Sequence, residues 1–124
     1  MSQKKNNFFN LNDLSKGISR TLTEGIDATI FPGVQAMVSI VKIAPNAKGN
    51  IHEHPQEQWS LLISGDAYRI QEDEKIHVSK GDFWLTPGGI RHGVIGGNEG
   101  AVIFDFFAPP REEYKKSGSG YAVN

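Results

Sequence analysis

The chain has 124 residues, 13 basic and 14 acidic for a net charge of −1, and no cysteine. That length suits one domain around one core, and the missing cysteines exclude disulfides, thiolate metal sites and cysteine nucleophiles. No basic block steers it to nucleic acid or an anionic membrane; with no signal-peptide core and no membrane-length apolar run, a cytoplasmic location is expected.

Residues 1–20 read as an N-terminal arm. The first seven are polar and suit a frayed end. Phe8, Phe9, Leu11, Leu14 and Ile18 follow without regular alternation. They predict a short helical turn near Asn12–Lys16 and packing on the barrel or on a second subunit, hence a homodimer. Residues 21–110 are expected to form the barrel. From Ala28 onward β-branched and aromatic residues dominate between Gly, Pro and Asp turns. Ala36–Ile43 reads as a strand stopped by Pro45-Asn46. Trp59–Ile63 is a second, ended at Ser64 and Gly65. Ala67–Gln71 and Lys75–Val78 flank Glu72, Asp73 and Glu74 as a hairpin. Phe83–Thr86, Gly93–Ile95 and Ala101–Phe107 complete a run of short strands, a spacing that predicts an all-β barrel or sandwich rather than βαβ units. Residues 111–124, with Ser117-Gly-Ser-Gly, read as a flexible tail.

The chemistry concentrates in His52-Glu-His54-Pro-Gln-Glu57-Gln58. On a strand, residues 52, 54 and 58 share parity and point one way, so two imidazoles and an oxygen donor converge as three ligands for a divalent metal. His92, straight after Pro87, Gly88 and Gly89, supplies a fourth from a separate turn. Single histidines in such places are often surface features or turn residues; it is the ordered set that points to a metal. His77 stands outside the set and reads as structural.

These two stretches resemble the paired motifs of the cupin superfamily, G-x5-H-x-H-x3,4-E-x6-G and G-x5-P-x-G-x2-H-x3-N. The second fits at Gly81, Pro87, Gly89 and His92, with Gly96 in place of the last Asn. The first fits at His52, His54 and Gly65. Asn46 takes the leading Gly position, where a residue tolerating positive φ still turns the chain, and Gln58 stands where most cupins carry Glu. The match spans about residues 34–108 and implies a double-stranded β-helix (jelly-roll) barrel.

Gln58 changes the charge of such a site. Three neutral imidazoles and a carboxamide leave a dipositive ion uncompensated, which favours anionic oxygen ligands and Lewis-acid chemistry over the oxidised states of oxygen activation. Parity favours Gln58 as the ligand; a bulge would bring in Glu57 instead. Zn, Ni, Fe, Mn and Co all remain compatible with imidazole-rich ligation.

Asp105 interrupts the apolar run Val102–Phe107, where an unpaired carboxylate is costly. Pro109 and Pro110 end the strand and set where Arg111 points. One reading is a structural Asp–Arg ion pair; the other is an acid/base and an anion clamp beside the metal. Trp59 and Trp84 read as packing residues. Tyr68 and Arg69 compete for one cavity-facing position.

His-x-His-Pro-x-Glu-Gln with a late Asp-x-Phe-x3-Arg resembles the KdgF-type uronate ring-opening proteins of pectin and alginate breakdown. The resemblance implies metal ligands at His52, His54, Gln58 and His92, and a substrate pocket of Asp105, Phe107 and Arg111. It implies one divalent metal and a small anionic sugar-acid substrate, opened to the linear keto acid. Two other readings stand beside it: a mononuclear iron dioxygenase, and a non-catalytic small-molecule-binding cupin.

Overall fold

The computed structural model describes residues 7–121, and among them one sheet of eight strands forms the molecule. β1 (Ile18–Thr23), β2 (Ile26–Pro32) and β3 (Met37–Ile43) form an antiparallel meander. β4 (Glu57–Gln71) and β7 (His92–Ala108) are long, and they pair from Glu57↔Ala108 at one end to Gln71↔His92 at the other. β5 (Glu74–Ser79) and β6 (Phe83–Thr86) border successive halves of β4, and β8 (Gly118–Ser119) lies parallel to β1.

Each long strand unites two segments that the sequence presents as separate. The register slips between Leu62 and Ser64 and again between Gly65 and Ala67. Gly65 adopts φ 80° there, and a Cβ on it would collide with the Gly100 carbonyl. The strand therefore bends without ending, as bulged strands do. Asn46 has φ 63°, so it turns the chain as expected of the residue at that motif position.

Alternation fills the barrel. Ile26, Ala28 and Ile30 of β2 point inward with Met37, Val41 and Ile43 of β3, and Leu62, Ile103 and Phe107 join them. Burying an aliphatic side chain of this size contributes about 1.5–3 kcal/mol, so this face fixes the register. Asn12–Lys16 forms turns rather than a helical turn, with amide bonds from Asp13 to Asn10 and from Gly17 to Leu14. β1 begins inside the stretch assigned to the arm.

Residues 111–121, read from sequence as tail, fold back on the barrel. Glu112–Lys115 is a 3-10 turn with Tyr114 buried. Arg20 is buried, and its guanidinium donates to the carbonyls of Gly120 (2.8 Å), Ser119 (2.9 Å) and Glu113 (3.0 Å). A buried cation needs such acceptors, and this backbone supplies them. No apolar period announces the contact. Residues 122–124 lie outside the described residues.

Candidate metal centre and pocket

His52 and His54 precede β4 in an extended segment and are not part of a regular strand. Pro55 donates no ladder hydrogen bond. Backbone pairing still places the residues: His52 N–H donates to the His92 carbonyl and His92 N–H to that of His52, each at 2.9 Å. The His52 and His92 rings then lie 4.5 Å apart between centroids and those of His54 and His92 4.8 Å. One ring nitrogen from each of the three falls within 4.8 Å of the others.

The tautomers follow from the partners. Nδ1 of His52 lies 2.8 Å from the Asn50 carbonyl, that of His54 3.1 Å from Gln56 and that of His92 2.8 Å from Ile90. A carbonyl only accepts, so Nδ1 of His52 and of His92 carries the hydrogen and their Nε2 atoms present lone pairs, while His54 has an oxygen acceptor at both ring nitrogens. Burial, as the first cause, lowers the pKa of His52 to about 4 and of His54 to about 3, and lowers that of His92. The rings are neutral at pH 7, the state a metal ligand requires. His92 Nε2 is buried without a hydrogen-bond partner.

Gln58 faces the three rings and Glu57 does not. Gln58 is buried with Oε1 3.0 Å from His54 Nε2, while Glu57 is exposed and accepts from Trp59 Nε1 at 3.2 Å. Gln58 Nε2 donates to Ser60 Oγ (3.2 Å), and Ser60 donates to Asp105 Oδ1 (2.6 Å). The amide oxygen is thereby turned to His54 Nε2. With the His54 hydrogen on Nδ1, toward the Gln56 carbonyl, Nε2 and Oε1 would offer a cation two adjacent lone pairs. The donor set therefore fits a divalent ion held by His52, His54, His92 and Gln58.

Asp105 shares the inward parity of Ile103 and Phe107 and lines a cavity of about 60 Å³ with His52, Gln58, His92 and Arg111. Burial raises its pKa to about 6, against the lowering effect of hydrogen bonds from Ser60 and Gln58 and of the Arg111 charge. Phe107 is buried, edge-on to His54 at 5.5 Å. Arg111 is buried, donates to the Tyr121 carbonyl, and stacks over Tyr114 at 4.0 Å and Phe107 at 5.4 Å.

Several cavity residues escaped the sequence reading. Trp84 packs against the core as read from sequence, and it also lines the cavity opposite Ser60, its partner across β4 and β6. Strand parity would have found it once that register was known. Arg69 takes the inward position and Tyr68 faces His77. His77 is exposed and bonds Asp66 at 2.7 Å, away from the metal ligands. Tyr121 reaches the site from the folded-back segment, its ring 4.4 Å from that of His52.

Residues 39–107 match the family model described as the cupin domain, which is more than half of the chain. The chain belongs to the cupin family. It is 28% identical over 103 residues to the pectin degradation protein KdgF of Dickeya dadantii, covering 82% of this chain and 87% of that protein. It is 32% identical over 73 residues to the oxalate decarboxylase OxdC of Bacillus subtilis, but these are 52% of this chain and 19% of that one. Among solved structures, KdgF from Halomonas sp. superposes with a TM-score of 0.72 at 25% identity, over 80% of this chain and 94% of that one. An RmlC-like cupin from Shewanella frigidimarina reaches 0.76 at 20% identity, over 92% and 99%, a likeness of fold. Among the described residues no helix is long and apolar enough to cross a membrane.

Proposed function

We propose that this cupin opens the ring of a 4,5-unsaturated uronate, or a related sugar acid, to the linear keto acid. The observation that carries the reading is the hydrogen-bonded chain from a half-buried carboxyl with a raised pKa, Asp105, through Ser60 to the proposed ligand Gln58. The likeness to the pectin degradation protein over most of both chains supports the substrate class.

A divalent metal in this donor set supplies Lewis acidity toward a substrate carboxylate and ring oxygen. The chain's own residues handle the proton. Asp105 Oδ takes the hydrogen of the anomeric hydroxyl, the C1–O5 bond breaks as the C1 carbonyl forms, and the electrons pass to the C5 enolate. Asp105 then returns a proton to C4, leaving the C5 ketone. Atoms balance without a co-reactant, so the step is an isomerisation. A carboxyl with a pKa of about 6 suits both directions of transfer near neutrality. Phe107 walls the sugar and Arg111 holds its anionic edge. Tyr121 also lines this cavity.

The test is the reaction in D₂O followed by proton NMR. Consumption of the vinylic C4 signal with one deuterium incorporated at C4 supports the reading; unchanged substrate with metal-loaded protein refutes it.

The same reading includes a cytoplasmic homodimer. Trp59 pairs with Leu85 and Phe106, and Leu61 with Phe83 and Phe104, across the outer sheet face. Trp59, Leu61, Phe83 and Phe106 are all exposed there, a patch suited to a second copy.

A further inference from the structure

We infer that Ser60 is a positioning residue for the metal centre, setting which end of the Gln58 amide faces the ion. The inference rests on Gln58 serving as a ligand, and goes beyond the ligands and pocket residues named above.

A carboxamide has one end that binds a cation and one that repels it, and the two differ little in shape. Something must choose between them. Ser60 lies on β4 two residues after Gln58, on the same inward face, with both side chains buried. Its hydroxyl has one hydrogen. Asp105 as a carboxylate only accepts, and its Oδ1 takes that hydrogen at 2.6 Å. The Ser60 oxygen is left as an acceptor, so at 3.2 Å it pairs with the Gln58 NH₂, which also bonds the Asp105 carboxylate, and not with the carbonyl end. Oε1 is then directed at His54 Nε2, 3.0 Å away. Reversing the amide would set Oε1 against the Ser60 oxygen and aim NH₂ at the cation. Each link is a donor–acceptor constraint, and supporting partners of this kind change metal affinity about 10–100-fold.

A glutamate at position 58 would not need this help, because both carboxylate oxygens accept. That difference separates orientation of the amide from general support of the site. Co²⁺ titration of the chelator-stripped protein, followed by visible absorbance, reads affinity and coordination together. Ser60→Ala is expected to weaken Co²⁺ about tenfold or more and to alter the visible band. In a Gln58→Glu background the same substitution is expected to change the affinity less than about twofold, so that the cycle shows positions 58 and 60 to be coupled. Ser60→Thr, which keeps the hydroxyl, should retain wild-type affinity, and the similarly shaped Ser60→Val should lose it; this pair serves if the alanine variant does not fold. Unchanged Co²⁺ affinity on losing the hydroxyl, or an equal loss in the Gln58→Glu background, would overturn the inference. Uronate turnover is not part of the readout. A protein with this cobalt behaviour that leaves uronates intact would sink the ring-opening reading alone.

Discussion

His52 and His92 exchange two backbone hydrogen bonds of 2.9 Å, and this pairing, more than either side chain, assembles the histidine triad. It ties the loop before β4 to the first residue of β7. The positions of these two rings are consequently set by the barrel backbone. Replacing His92 by Ala keeps the backbone pair and removes one ligand. The expected outcome is a folded protein whose metal affinity falls by more than the ~10–100-fold of a supporting partner. Calorimetric titration with Zn²⁺ checks it, and unchanged affinity would exclude His92 as a ligand.

The same triad sets the acid response of the metal-free protein. The pKa values of His52 and His54 are about 4 and 3 when folded, below the ordinary 6.5, and that of His92 is also lowered. Below pH 6.5 the unfolded chain therefore binds more protons, and stability falls as pH drops toward 4. The loss is on the order of 1–2 kcal/mol for each of His52 and His54 by pH 5. Asp105 acts in the opposite sense: its pKa rises from 3.8 to about 6, so it gains stability as pH falls through that window. Three rings outweigh one carboxyl. Thermal melts of chelated protein should show Tm level above pH 6.5 and declining below it; a Tm that rises on acidification would contradict this balance.

Asp105→Asn separates chemistry from metal binding. Asparagine keeps an acceptor oxygen for the Ser60 hydroxyl, so Zn²⁺ affinity should stay within a few-fold of wild type. Proton transfer is lost, and turnover of an unsaturated uronate should fall ~10²–10⁴-fold. Full activity in this variant would remove Asp105 from the mechanism.

The outer apolar face bears on assembly. Phe83 is 69% exposed and Trp59 41%, close together over β4 and β6. Sedimentation of the wild-type chain should give twice the chain mass, and Trp59→Glu with Phe83→Glu should give a monomer. A wild-type monomer at micromolar concentration would refute the dimer.

Much of the candidate site is legible in the sequence. His52, His54 and His92 could be picked out because metal ligation tolerates few residue types, and Gln58 over Glu57 followed from parity, which its buried position matches. Strand lengths were less legible. Gly65 and the register slips around it look like a terminus in sequence, yet a bulge there only bends β4. Residues 111–121 were illegible for a different reason. Their anchors are backbone carbonyls bound by the distant Arg20, and carbonyls leave no mark in a sequence. Trp84 and Tyr121 reach the cavity only through the β4–β6 register and that folded-back segment.

The most direct measurement is ultraviolet absorbance of an unsaturated monouronate mixed with the protein as purified, after chelation, and after metal is restored. The account predicts accelerated loss of the conjugated double bond, abolished by the chelator and recovered with the metal. Uronates from both pectin and alginate that disappear no faster with metal-loaded protein than without it would contradict the account.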